Sequence, residues 1–363
     1  MNYQETLFFV GKCLTINHID KNKKIIEEQL QNNSIDWDAV VKISTGHFVF
    51  PALYCNLKRA NFLQYIPNDL VAYMKHIAHL NKERNEKIIE QAKEINELLL
   101  ANDITPIFLK GTGNLLEGLY EDIAERMVGD IDFIVAKNNY LKTIQILKKK
   151  KYAVHKDGKI TPAFHWHYPK LVHPEQIGAV EVHNKILKKP FDSIFKEDNI
   201  LKSALRKSNG CFLSTNYKIL NAILPKIIND NLYYSYIIPL RTTYDVFLMT
   251  NNTDYKIILD NKKVYKKFNN YLSCIKLVLN APDNIIVENT RASQKYKNSY
   301  LLRLSNSKKI KLKSNIINKC IILKKYLFML KKSFSDKEYS EYLTKRICQW
   351  DLYKKILGLK TTS

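Results

Sequence analysis

The six cysteines, Cys13, Cys55, Cys211, Cys274, Cys320 and Cys348, include no Cys-x-x-Cys pair. That excludes a compact cysteine-based zinc site and points to reduced, buried thiols in a cytoplasmic protein. No apolar run reaches about 18 residues, so no transmembrane helix is expected. The N-terminal stretch Leu7-Phe-Phe-Val10 follows Glu5 without a basic leader and ends at Gly11-Lys12, which does not read as a signal peptide. The Gly-x-x-x-x-Gly-Lys-Ser/Thr phosphate loop is missing, and no internal repeat is evident. Acidic residues are scarce: 35 stand against 58 basic ones, a net charge of +23. From Asn289 through Ser335 there are thirteen Lys/Arg and no Asp or Glu. Within that stretch Lys308, Lys309, Lys311 and Lys313 lie close together. Such charge suits a polyanion, RNA above all. An anionic membrane surface would attract it too, and a Lys-, Asn- and Ile-rich composition produces basic charge with no partner at all.

Glycine is also rare, at ten residues, which draws attention to Lys110-Gly-Thr-Gly113. An apolar run, Thr105-Pro-Ile-Phe-Leu109, leads into it and an amphipathic stretch from Asn114 to Tyr120 follows. The pattern reads as strand, tight glycine turn, helix. Glycines at such a place let backbone approach a ligand, and a helix N-terminus offers N–H groups to phosphate. Lys110 and Thr112 would add a charge and a hydroxyl.

Downstream, Val128-Gly-Asp-Ile-Asp-Phe-Ile-Val135 opens an apolar strand with two aspartates. Alternation puts Asp130 and Asp132 on one face. Two like charges so close are unfavourable unless a cation sits between them, and a divalent metal with hard oxygen ligands is the natural candidate. Solvated aspartates at a strand end are the plainer alternative. A third short strand, Gly178-Ala-Val-Glu-Val-His-Asn184, carries Glu181 and His183 on one face. A third carboxylate from a separate strand is what a two-metal phosphoryl-transfer site needs.

Phe108-Leu-Lys-Gly111, Tyr120, Arg126, Asp130-Ile-Asp132 and Val180-Glu-Val-His183 together resemble the uncharacterised nucleotidyltransferase family of the polymerase-β-like superfamily. His47-Phe-Val-Phe-Pro-Ala-Leu-Tyr54 and Pro239-Leu-Arg-Thr-Thr-Tyr-Asp245 resemble that family's flanking helical regions, so the similarity spans roughly residues 45 to 250. Gly111-Thr112 stands where the superfamily usually has Gly-Ser, and Asn184 where the branch commonly has an aromatic residue. The resemblance implies an α/β (α+β) fold, a small mixed-sheet core between N- and C-terminal helical regions. It implies Mg²⁺, at two sites, and an NTP as substrate. Asp130, Asp132 and Glu181 would be the metal ligands and catalytic acids. Lys110, Gly111, Thr112, Arg126 and His183 would bind the nucleotide. His167, Arg241 and the lysines 308, 309, 311 and 313 are candidates for the acceptor side. An acceptor hydroxyl, on RNA, a protein or a small molecule, would attack the α-phosphorus and release pyrophosphate.

The expected divisions are 1–102, N-terminal helical; 103–192, α/β core; and 193–363, basic and helical. Apolar residues Leu70, Met74, Ile77, Ile88, Ala92, Ile95 and Leu99 mark one long helix from Asn68 to Ala101. A second helix covers Asn139 to Lys150, and residues 163–172 and 178–184 form an antiparallel pair. From Ile194 the pattern is helical, with a loop at Thr250 to Thr253. His165, His167, His173 and His183 raise a zinc alternative at no familiar spacing. Arg126 suits phosphate, or else an ion pair with Glu121, Asp122 or Glu125. Arg241 and Asp245 suit an i,i+4 pair. Two other functions compete: a sugar transferase holding a nucleotide-sugar through Asp-x-Asp, and a catalytically idle RNA-binding protein of the same fold.

Overall fold

The computed structural model describes residues 1–32, 34–155, 165–249, 259–281 and 285–347. At its centre is a mixed sheet of strands β1 (Ile107–Phe108), β2 (Asp130–Ile134), β3 (Ala153–Val154), β4 (Leu171–Val172), β5 (Ala179–His183), β6 (Leu205–Lys207) and β7 (Gly210–Phe212). Their spatial order is β3-β4-β5-β2-β1-β7-β6. Helices flank the sheet on both sides in sequence, so the chain has the mixed α/β fold its motifs imply. β2 lies between β5, which runs parallel to it, and β1, which runs antiparallel. The expected antiparallel pair is present, with Leu171 opposite Val180 and His167 bridged to His183. The β6–β7 hairpin, which joins β1 through a parallel β7, falls in a stretch that periodicity assigns to helix. The Thr250–Thr253 loop and Cys348 lie outside the described residues.

Alternation makes β2 and β5 two-faced. Ile131, Phe133, Val180 and Val182 are wholly buried on one face. The other carries Asp130 and Asp132 on β2, with Glu181 and His183 on β5. The parallel register sets Asp132 opposite Glu181 and Ile134 opposite His183.

Lys110-Gly-Thr-Gly113 is the first turn of a helix, Lys110–Glu117, rather than a turn ahead of one. Its glycines answer to packing: a Cβ on Gly113 would lie 2.8 Å from the Phe108 carbonyl oxygen, too close for any side chain. The helix stops before Tyr120 because Gly118 adopts a left-handed cap, φ +77°.

The long helix runs from Asn68 to Leu100. Its buried face is Met74, Ala78, Asn81, Asn85, Ile88, Gln91, Ala92, Ile95 and Leu99, a stripe at helical spacing with three amides in it. Asn81 donates to the carbonyls of Ala124, at 2.7 Å, and Arg126, at 3.2 Å. Asn85 donates to those of Ile123, at 2.6 Å, and Arg126, at 2.7 Å. Gln91 donates to the Gly178 carbonyl, at 2.9 Å, and accepts from the Gly178 N–H, at 2.8 Å. The helix thereby grips both the loop that enters β2 and the residue that precedes β5.

The terminal helical regions pack on each other. At Gly11, in helix Tyr3–Cys13, a Cβ would lie 2.5 Å from the Val278 carbonyl oxygen of helix Lys262–Leu279. Buried residues from Leu7 to Leu304 form one hydrophobic core. Cys13, Cys55, Cys211 and Cys274 are free and buried as expected; Cys320 is free but exposed, on the outer side of helix Lys308–Ser333. No described helix is long and apolar enough to cross a membrane.

Replacing Asn85 by Leu keeps the volume but leaves buried carbonyls short of a donor. Asn85→Leu should cost about 1–3 kcal/mol of stability, seen as a lower urea midpoint at unchanged m value. A midpoint equal to that of the wild type would show that the loop before β2 holds without this amide.

Candidate active site

Asp130, Asp132 and Glu181 converge on the outer face of β2 and β5, with lysines between them. Lys110 Nζ lies 2.6 Å from Asp132 Oδ1 and 3.9 Å from Glu181 Oε2. Lys170 Nζ bridges Asp130 Oδ2, at 3.2 Å, and Glu181 Oε1, at 3.1 Å. His183 Nε2 meets Asp132 Oδ1 at 2.9 Å and lies 3.7 Å from Glu181 Oε2. Asp132, Glu181 and His183 are buried, and one ligand atom from each falls within 4.8 Å of the others, a group able to hold a metal ion.

Burial alone would raise the Asp132 carboxyl, but Lys110 and His183 outweigh it and hold it below the usual carboxylate range. Glu181 goes the same way: burial opposes its charge, and His183, Lys110 and His167 together drive it well down. Both acids are therefore held as anions, as oxygen ligands to a metal must be. On His183, burial and Lys110 disfavour protonation, yet hydrogen bonds to Asp132 and Glu181 prevail and raise its pKa. Burial lowers His167, whose Nε2 lies 3.9 Å from Glu181 Oε2.

Lys110 reaches the acids from an unusual backbone. Its φ of +52° is left-handed, which costs a non-glycine residue about 1 kcal/mol. Leu109 N–H donates to the Asp132 carbonyl at 2.9 Å and ties this segment to β2. Thr112 is fully buried, and its hydroxyl donates to the Asp130 carbonyl at 2.7 Å. It positions the aspartate strand and is not turned toward a ligand. At Gly111 a Cβ would stand 2.9 Å from Val128 and 3.2 Å from the Arg126 guanidinium, so only glycine allows this approach.

Arg126 takes neither Glu121, Asp122 nor Glu125. Its Nε lies 3.0 and 3.1 Å from the two oxygens of Asp245, Nη2 lies 2.9 Å from Oδ2, and Nη1 donates to the Met127 carbonyl at 2.7 Å. Tyr120 donates to the same Asp245 at 2.7 Å. With Asp245 engaged by Arg126, Arg241 donates instead to the Met127 carbonyl, at 3.2 Å, and stacks over Phe48. Leu240 N–H donates to His47 Nδ1 at 3.1 Å, and Tyr244 donates to Glu125. The motif segments around residues 47, 120–126 and 240–245 thus meet in space.

An open cleft joins these groups. Lys110, Arg126, Asp130, Asp132, Trp166 and His183 line it. Helix Thr215–Ile228 adds Asn221, Ala222 and Pro225 to the lining, and helix Leu240–Met249 adds Arg241, Asp245 and Met249. Sequence reasoning missed Lys170, Asn221 and the role of Asp245. The antiparallel register of residues 163–172 against β5 was the signal for Lys170.

The histidines form no zinc set among the described residues; only His183 joins the acids. Lys308, Lys309, Lys311 and Lys313 open helix Lys308–Ser333. At about 100° per residue Lys309 shares one face with Lys313 and Lys308 another with Lys311, Lys311 donates to Asn306 at 2.6 Å, and none lines the cleft. A cation nearer the rim is Lys188, whose Nζ lies 3.4 Å from the Asn229 carbonyl of a cleft-lining residue. Burial first, then Lys325 and Lys267, push its amine down to about 8.

Among known proteins, the model of a family described as uncharacterised nucleotidyltransferase matches residues 33–217, just over half of the chain and the part that carries the acids and Lys110. No curated protein and no solved structure matches. By its sequence and the site that sequence builds, the chain belongs to this family of uncharacterised nucleotidyltransferases.

Proposed function

We propose that the protein is a Mg²⁺-dependent nucleotidyltransferase that moves a nucleoside monophosphate from an NTP to an acceptor hydroxyl and releases pyrophosphate. One observation carries this reading: Asp132 and Glu181 stand opposite each other on adjacent parallel strands, with Asp130 on the same face of β2. Three carboxylates make a hard-oxygen donor set that suits Mg²⁺. Asp130, Asp132 and Glu181 would hold the ions, and His183 fixes Asp132 for them. Bound there, divalent ions would neutralise the phosphate oxygens and the charge that develops on them.

The chain itself supplies position and charge. The acceptor hydroxyl loses its proton to solvent, its oxygen bonds to the α-phosphorus as the bond from that phosphorus to the bridging oxygen breaks, and pyrophosphate departs. Helix Lys110–Glu117 has no side-chain cap, and Lys110 and Gly113 of its first turn line the cleft, so this helix end would face the triphosphate. Lys110 adds a full charge there. Arg126, paired with Asp245, and Arg241 add guanidinium groups to the cleft lining. The free thiols fit a cytoplasmic setting.

Charge favours RNA as the acceptor. The net +23 is not spread evenly, and Lys188, whose Nζ donates to the carbonyl of the cleft-lining Asn229, adds a cation close to the cleft. A second reading has its own support: Lys110 and Lys170 already neutralise the acids, as in an idle scaffold of the same fold.

Metal binding separates the two. Mg²⁺ should raise the thermal midpoint, the stabilisation growing by about 1.4 kcal/mol per tenfold in concentration once above Kd. Asp132→Asn should remove that response. A wild-type midpoint indifferent to Mg²⁺ favours the idle scaffold.

Incubation with each labelled NTP, Mg²⁺ and total RNA, protein or metabolites should label RNA. Asp130→Asn and Asp132→Asn should each lower the rate by about a thousandfold, several kcal/mol of transition-state stabilisation. Either variant keeping near-normal rate would overturn the metal assignment, and label on protein or metabolites would overturn the RNA acceptor.

Lys188→Glu should weaken RNA binding and reduce its salt slope by about one. Lys308→Glu with Lys309→Glu and Lys313→Glu should act less, since these residues lie off the cleft. The reverse ranking would place the RNA path along helix Lys308–Ser333.

A further inference from the structure

The cleft lining contains a buried amide oxygen with nothing to bond. Asn221 is only 4% exposed, it lines the cleft, and its Oδ1 is buried with no partner among the described residues. A buried amide oxygen of this kind is unfavourable unless a ligand completes it. Four residues on, Pro225 sits inside the same helix, Thr215–Ile228. Proline has no N–H, so it cannot serve the main-chain carbonyl four positions back, which is that of Asn221. The helix ladder therefore leaves out the main-chain carbonyl of Asn221 as well. Ala222 and Pro225 from the same helix, with Phe212, Leu213 and Met249, give this part of the cleft an apolar lining. A planar group with apolar faces and a hydrogen-bonding edge is what such a place receives.

We propose that Asn221 is a specificity-determining residue that reads the nucleobase of the incoming nucleotide. It selects bases whose Watson–Crick edge sets an amino group beside an acceptor ring nitrogen, adenine and cytosine, over uracil and guanine. The proposal rests on the nucleotidyltransferase reading of the same cleft. Oδ1 accepts from the exocyclic amine, and Nδ2 donates to the neighbouring ring nitrogen. Uracil has no such amine, and guanine presents a ring N–H where Nδ2 points. Either would leave buried polar groups unpaired, and that is how a site built for one hydrogen-bonding edge rejects another.

Equilibrium binding of non-hydrolysable ATP, CTP, GTP and UTP analogues in the presence of Mg²⁺ tests it, with inorganic tripolyphosphate as the base-free probe. The ATP and CTP analogues should bind about tenfold or more tighter than the other two. Asn221→Leu should erase that ratio, and Asn221→Asp, which turns the donor into an acceptor, should weaken the ATP and CTP analogues by a similar factor. Tripolyphosphate should bind the wild type and both variants equally, which reports that the phosphate end and the fold are intact. A wild type that binds all four analogues alike, or a preference that survives Asn221→Leu, overturns the assignment and leaves the transferase reading standing. A wild type that binds neither nucleotides nor tripolyphosphate removes the transferase reading itself.

Discussion

The parallel pairing of β2 with β5 puts Asp132 and Glu181 side by side in a buried place, and much of the structure answers to that. Two carboxylates about 5 Å apart repel by about 3 kcal/mol at an effective dielectric of about 20. Burial adds a desolvation cost to each. Lys110, Lys170 and His183 offset these costs with four close contacts to the three acids, from 2.6 to 3.2 Å. Lys110 does so from a left-handed backbone that is itself unfavourable. Replacing buried ion pairs by apolar side chains is often neutral or stabilising. The fold alone therefore gives no reason to keep this cluster, and strain gathered at one spot is common where a site must be pre-organised.

A second buried charge fixes another part of the cleft. The Arg126 guanidinium needs a partner of matching geometry once it leaves water, and Asp245 receives it along two edges. Because Asp245 belongs to helix Leu240–Met249, this one pair draws a helix from 119 residues away onto the loop before the aspartate strand. His47 and Phe48 then meet Leu240 and Arg241 of that helix, and Glu125 meets Tyr244. The long helix holds the same loop from behind through Asn81 and Asn85. The strand that carries Asp130 and Asp132 is thus gripped at its entrance from two directions, which suits a site that works by position.

Local pattern revealed the parts of this site that local pattern governs. Alternation placed Asp130 with Asp132 and Glu181 with His183, because strand sides follow from sequence parity alone. Helical spacing gave the Asn68–Leu100 helix nearly to the residue. It passed over Asn81, Asn85 and Gln91, since an apolar template skips amides that are buried to bond loop carbonyls. Lysines 308 to 313 are a basic turn of one helix as their spacing suggests, but none of them lines the cleft, and spacing says nothing of that. The Arg126–Asp245 pair and the β7–β1 contact join segments roughly a hundred residues distant, where no periodicity reaches. Lys110-Gly-Thr-Gly113 was recognisable as a strand-to-helix junction, but its glycines serve close packing on Phe108 and Arg126 more than turning.

The residues that line the cleft also differ in where they come from. The acids, Lys110 and His183 all lie within residues 33–217, the stretch that matches the family. Asn221, Pro225, Arg241 and Asp245 lie beyond it, on two helices that pack together. Phosphoryl chemistry tolerates little variation, because charge must be placed to within a fraction of an ångström of the reacting phosphorus. Recognition of a base or an acceptor tolerates a great deal, since one side chain on a helix can exchange one hydrogen-bonding edge for another without moving the backbone. A chain that keeps its chemistry on a central sheet and its recognition on attached helices can alter the second without disturbing the first. The Arg126–Asp245 pair is the joint between the two, because it holds helix Leu240–Met249 against the loop that leads into the aspartate strand.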